Sequence, residues 1–240
     1  MTEFTGFPFG YDRPFTYAKG KRVLELAMDE LRSRHDLQDK LGMNPKAQGK
    51  KAVRGRKANE VWDFLSFSTV TEGEQPTNNP HLTLVVSSQA VDAMVIVPND
   101  VNNVMRKKLK KLGEAGFRAL AKDVVHCLEQ KNLLRDHGGP TPWFKGLQRH
   151  WQSRGAPPFV DARIEFDLRT AIPSGGLIKA QPRWLSAAYG SFVDKENSNY
   201  EMQIGVQFRY ERCPELKRAE AIDLIASAWL ACKPFIDFVR

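Results

Sequence analysis

Residues 81–99 read HLTLVVSSQAVDAMVIVPN, and the fold class follows from them. Two runs, LTLVV at 82–86 and AVDAMVIV at 90–97, flank the polar bend Ser87-Ser88-Gln89. Each is short, rich in β-branched residues and bounded by turn formers, Asn78-Asn79-Pro80 before and Pro98-Asn99-Asp100 after. That pattern predicts the two strands of a hairpin. Both runs are apolar almost throughout, so both faces are expected to be covered, as in the middle of a buried sheet.

Working outward, further strands are expected on either side. Val61–Val70 is aromatic and β-branched. Asp161–Arg169 alternates, with Ala162, Ile164, Phe166 and Leu168 against Asp161, Arg163, Glu165, Asp167 and Arg169. Tyr200–Tyr210 does the same, with Tyr200, Met202, Ile204, Val206, Phe208 and Tyr210 on one side. Period-two alternation of this kind marks half-buried strands of an antiparallel sheet. Helical spacing appears at 21–41, with Gly42 as its stop, at 101–112, at 116–134 and at 215–232, where Ile222, Ile225, Ala226 and Trp229 form a stripe. The segment Thr141–Arg154, TPWFKGLQRHWQSR, reads as a short helix opened by Pro142.

The expectation is therefore α+β: a mainly antiparallel sheet from 61–70, 82–97, 161–169 and 200–210 with helices packed on it, in a single domain. A chain of 240 residues suffices for such a core. The domain is expected over 21–240, preceded by an aromatic arm at 1–20 (Phe4, Phe7, Phe9, Tyr11, Phe15, Tyr17) and carrying a flexible basic loop at 44–59. That loop, NPKAQGKKAVRGRKAN, has six basic residues and no acid. With almost nothing to bury, it cannot offset its ordering entropy alone.

Cys127, Cys213 and Cys232 fit neither a disulfide framework nor a CxxC metal spacing, and the N-terminal stretch has no basic region followed by an apolar run. A cytoplasmic protein with no membrane partner is the expectation. No run approaches the roughly 18 apolar residues that cross a bilayer.

Charge supplies the functional expectation. The net charge is +8, but residues 61–100 carry no base and 5 acids, while residues 101–154 carry 12 bases against 4 acids. Basic blocks before and after the hairpin favour an anionic partner, nucleic acid above all. The residues assigned to DNA or RNA binding are Lys50, Lys51, Arg54 and Arg56 in the loop, Lys107, Lys108, Lys110 and Lys111 on the helix after the hairpin, and Arg149, Trp151 and Arg154 in the aromatic-basic segment. There, indole faces beside guanidinium groups suit base stacking and backbone pairing. The bland counterpart is that the basic residues only solubilise the surface and that Trp143 and Trp151 pack inward.

Catalytic motifs are sparse. His81-Leu82-Thr83 has the HxT form of two-histidine phosphodiesterases, but no second HxT or HxS accompanies it. Asp161, Glu165, Asp167 and Glu201 would converge if their strands pair, and Mg²⁺ would then be the cofactor of a metal-dependent nuclease. Arg163 and Arg169 share that face, so ion pairs explain the carboxylates equally well. The turn Ser174-Gly175-Gly176 lacks the spacing of a nucleotide-binding loop. Three classes result: a nucleic-acid-binding protein without catalysis or cofactor, of the kind found as a subunit of a larger assembly; a nuclease using those four carboxylates; and a protein-interaction subunit docking partners through the acidic 61–100 block and the aromatic arm.

Overall fold

Among the described residues, the computed structural model contains one six-stranded sheet and seven helices; it describes residues 3–11, 13–45, 59–67, 79–98, 102–134, 139–150, 159–171, 183–193 and 199–240. The α+β class and the antiparallel sheet stand as expected. The hairpin 81–99 forms β2 (His81–Ser87) and β3 (Ala90–Val97), and β1 (Glu60–Ser66) pairs with β2. The remaining strands are β4 (Thr141–His150), β5 (Phe159–Asp167) and β6 (Asn199–Arg209). Their order is β1-β2-β3-β6-β4-β5, and every pairing is antiparallel. The last strand in sequence is thus inserted between β3 and β4.

The segment 141–154 is the main departure from expectation. Residues 141–150 are not a helix but an interior strand, paired with β6 on one side and β5 on the other. Gly146 shows why. A Cβ there would come within 2.9 Å of Ile164 Cγ2 and of the Phe192 ring. Glycine lets the Phe192 ring rest on the strand itself, a common use of glycine inside a sheet.

Register fixes two faces. The first carries Val61 and Leu65 of β1, Leu82, Leu84 and Val86 of β2, Val91, Ala93 and Val95 of β3, Met202, Ile204, Val206 and Phe208 of β6, and Phe144 and Phe166 of β4 and β5. All of these belong to one buried cluster with the helices. Above it, α1 (Tyr17–Ser33) lies on β1 and β2, α6 (Ala221–Ala231) on β3 and β6, and α4 (Leu168–Ala171) on β4 and β5. The long α3 (Asn102–Gln130) reaches the sheet through Phe117, whose ring meets Phe144 edge-on with centroids 5.8 Å apart, and packs sideways on α5 (Arg183–Val193). Phe4, Phe7 and Phe9 are buried in the same cluster.

Local chemistry sets the helix ends. Thr16 caps α1, accepting from Lys19 N–H, and α1 buries Leu24, Ala27, Met28 and Leu31 at helical spacing. The expected helix 21–41 is two helices, because Arg34 is extended and α2 (His35–Leu41) restarts after it, ending at Gly42 in the left-handed region as anticipated. The expected helices 101–112 and 116–134 stand as the two helical stretches of α3, separated at Gly113 by a non-helical backbone (φ 73°, ψ 166°) that a side chain would strain. The second stretch closes at Asn132 (φ 53°), where Leu133 N–H donates to Leu128 O. The expected helix 215–232 is a 3-10 turn (Pro214–Lys217) followed by α6, and the chain then re-enters α7 (Lys233–Val239). Pro234 cannot donate an amide into α6, so the helix breaks before it.

Two acidic residues of the 61–100 block sit in the sheet. Asp63 faces α1 with only 4% of its surface exposed, its Oδ1 accepting from Phe64 N–H at 2.8 Å. Burial pushes its carboxyl up to about 6, from an ordinary 3.8. A raised folded-state value means that stability falls as pH rises from about 4 through 6. Asp63→Asn keeps the acceptor and removes the charge. It should therefore be more stable than the parent above pH 6, by up to about 3 kcal/mol at 1.36 kcal/mol per unit, and indistinguishable from it near pH 4. Urea unfolding of both proteins at pH 4 and pH 8 checks this, and equal midpoints at pH 8 would contradict it.

Candidate functional site

The first half of α3, NNVMRKKLKKLG, has five bases and no acid. At 100° per residue, Met105, Leu109 and Leu112 fall on the side facing the core, and Val104, Lys107, Lys110 and Lys111 within one arc on the other. Met105 and Leu109 are buried. Lys107, Lys110 and Lys111 are exposed, and Val104 is exposed beside them. This is the surface the sequence assigned to nucleic acid, and three of its four lysines present it.

The fourth does not. Lys108 Nζ donates to the carbonyls of Phe238 and Val239, at 3.2 Å each, at the C-terminal end of α7. Arg106, also in this run, is buried, with Nε donating to Phe192 O at 3.1 Å at the end of α5. Both are cations set against the negative ends of helices, where unpaired carbonyls accumulate. The basic block therefore divides by helical phase, two residues clamping neighbouring helices and three facing outward.

The other assigned residues are placed less fully. Lys50, Lys51, Arg54, Arg56, Trp151 and Arg154 lie outside the described residues. Arg149 lies in β4, at the end of its pairing with Asn199 and next to a register shift after Gln148. Trp143 is half-buried on the second face of the sheet.

That second face also holds the carboxylates of the nuclease alternative. Glu165 and Asp167 of β5 and Glu201 of β6 do share it, while position 161 falls at the register shift opposite Gln148 and Arg149 and has no paired residue. Each described carboxylate has its own partner. Glu165 pairs with Lys145 across the strand at 3.6 Å and with Arg163, Asp167 holds Arg169 at 2.7 Å, and Glu201 accepts from Gln203. Among the described residues no three His, Cys, Asp or Glu side chains are gathered to hold a metal ion. One cross-strand ion pair, two ion pairs between residues two apart and one amide hydrogen bond account for the pattern of the described carboxylates.

Asp92, on the same face as His81, carries a signal that the sequence analysis did not use. Asp92 is a lone acid in an otherwise apolar strand, opposite Val85 on one side and Gln207 on the other. Burial pushes its carboxyl up to about 6, against a hydrogen bond from Gln207 and the charge of Lys145. His81 is buried with Nδ1 2.7 Å from the Asn79 carbonyl, which accepts the hydrogen bond in the tautomer carrying hydrogen on Nδ1. Burial holds its pKa below the ordinary imidazole value.

Comparison with known family profiles and with characterised proteins finds no match to this chain. Among the described residues no helix is long and apolar enough to cross a membrane.

Lys108 and Lys107 should respond oppositely to truncation. Lys108→Met leaves the last carbonyls of α7 without their donor and should cost about 1.5–3 kcal/mol, the range for hydrogen bonds to a charged group. Lys107→Met should stay within about 0.5 kcal/mol of the parent, as exposed substitutions do. Denaturant unfolding of the two variants decides, and equal losses would remove the division of the block.

Proposed function

We propose that this chain is a basic nucleic-acid-binding protein whose described contact surface is the outward arc of α3, with phosphates paired by Lys107, Lys110 and Lys111. The observation that carries the reading is the exposure of three lysines within two helical turns that hold no acid. Like charges gathered this way repel one another and gain most from a polyanion, since each neutralised phosphate releases condensed counterions. Exposed Val104 adds an apolar contact on the same arc. No donor pattern on this arc selects a base edge, so affinity is expected to depend on backbone charge more than on sequence.

Replacing Lys107, Lys110 and Lys111 together by Ala should leave unfolding within about 1 kcal/mol of the parent, since exposed positions shift stability little. It should also flatten the slope of log affinity against log salt by about 2–3, at roughly 0.7–0.9 per phosphate contact. Fluorescence anisotropy with labelled single- and double-stranded oligonucleotides across a salt series measures both affinity and slope. A slope unchanged in the variant would exclude this arc, and no binding at low salt would exclude the function.

A further inference from the structure

Four large hydrophobic side chains are exposed among the described residues: Tyr11, Tyr17, Val104 and Trp184. Val104 belongs to the outward arc of α3. Trp184, the second residue of α5, is the indole of the four, with 37% of its surface open. Its ring stacks on Phe166 of β5, with centroids 6.3 Å apart and planes inclined by 27°. Phe166 stacks in turn on buried Phe144, at 5.2 Å. Trp184 is thus the outer member of a run of three rings rooted in the core. A ring held in this way costs little further ordering when a ligand settles on it.

Positive charge lies beside the ring. Exposed Arg183 holds its guanidinium 5.7 Å from the indole centroid and pairs with no carboxylate among the described residues. Helix α5 runs antiparallel to α3 along its flank. Arg106 Nε donates to Phe192 O, Tyr189 Oη donates to Leu109 O at 3.4 Å, and Ser186 Oγ donates to Glu114 at 2.8 Å. Trp184, two residues before Ser186, therefore stands beyond the lysine arc on the neighbouring helix. Residues 107–122 carry a single acid, Glu114, and α5 carries none. Arg118 engages that acid at 2.8 Å. Lys122, one turn after Arg118 on the same side of α3, is exposed. Asp123 follows it about 100° further round the helix. Asp167, next to Phe166, lies on the opposite face of the sheet and holds Arg169.

Resting on the nucleic-acid reading of the lysine arc, we propose that the bound strand is single-stranded and that one of its bases stacks on Trp184. Arg183 then leaves the indole for a phosphate. An open aromatic face fixed beside cations is what an unpaired base requires, and such a stack accepts any base. In a duplex the bases are stacked on one another, and presenting one to the ring would cost its unstacking. An exposed cation–π contact is weaker than a base stack, so the guanidinium gives way. An apolar protein partner would cover the indole and leave Arg183 without a counter-charge.

The test compares the full chain with Trp184→Leu, which keeps an apolar cover on Phe166 but has no ring face, and with Trp184→Phe, which restores one. Three labelled probes are followed by anisotropy at low salt: an oligothymidylate of about 12 nucleotides, within the site sizes of single-strand binders, an abasic strand of equal length, and a duplex of equal length. The parent should bind the oligothymidylate about tenfold more tightly than the abasic strand, the order of one base stack. Trp184→Leu should lose that difference, and its affinity for the abasic strand and the duplex should stay within about twofold of the parent's, as for an intact fold. Trp184→Phe should recover most of the loss. Equal affinity of the parent for the oligothymidylate and the abasic strand would overturn the stack and leave the lysine arc as a backbone site. So would an oligothymidylate affinity unchanged in Trp184→Leu, or equal losses on all three probes. Absence of binding to every probe by the parent would end the nucleic-acid reading, and the stack with it.

Discussion

The pairing of β6 with both β3 and β4 is the constraint on which the rest of the structure depends. Residues 199–209 join the N-terminal three strands to β4 and β5, and among the described residues no strand pairing links the two halves of the sheet except through them. Met202, Ile204, Val206 and Phe208 point from β6 into the helical layer, so the same strand that closes the sheet also seats α6. Gly205 sits at its midpoint, where a Cβ would come within 2.1 Å of the Ala93 carbonyl oxygen. Close approach of β6 to β3 is thus built into the sequence of β6. The cost is topological, because the central strand arrives late in the chain and must insert between elements far from it in sequence.

The two faces of this sheet do different things. One is apolar, continuous with the helices and closed. The other holds Ser66, His81, Thr83, Asp92, Lys145 and Glu165 among half-buried neighbours. Charge on the helical side is likewise sorted by geometry. Arg106 and Lys108 satisfy the last carbonyls of α5 and α7, which ties the C-terminal helices to α3. Arg240 does the same for α2, donating to Leu41 O at 2.8 Å. Lys107, Lys110 and Lys111 on the outer arc of α3 are exposed.

Much of the fold was legible because its signals are local. The alternation of Tyr200–Tyr210, the capped stripe of α1 and the apolar hairpin each announce themselves within a dozen residues. The strand at 141–150 did not, because its two faces are not sorted into apolar and polar: Pro142, Phe144 and Gly146 face the helices, while Trp143, Lys145 and Leu147 face away. With no period-two contrast, Pro142 read as a helix start. The break at Arg34 is accompanied by an ion pair to the distant Asp223, which Arg34 reaches at 2.5 Å, and is not announced locally. The candidate surfaces were half legible. The basic run on α3 was plain, but the inward role of Lys108 depends on carbonyls 130 and 131 residues away. Asp92 could have been noticed as the single acid in a strand expected to be covered on both faces, since such a residue needs a partner.

The claim that α3 presents a divided basic surface to nucleic acid is tested most directly by lysine acetylation footprinting with and without a bound oligonucleotide, read by mass spectrometry. Lys108, tied to α7, serves as the internal reference on the same helix. The account predicts that Lys107, Lys110 and Lys111 react readily in the free protein and are protected in the complex, while Lys108 reacts slowly in both. Protection absent from those three, or Lys108 as reactive as its neighbours in the free protein, would contradict it.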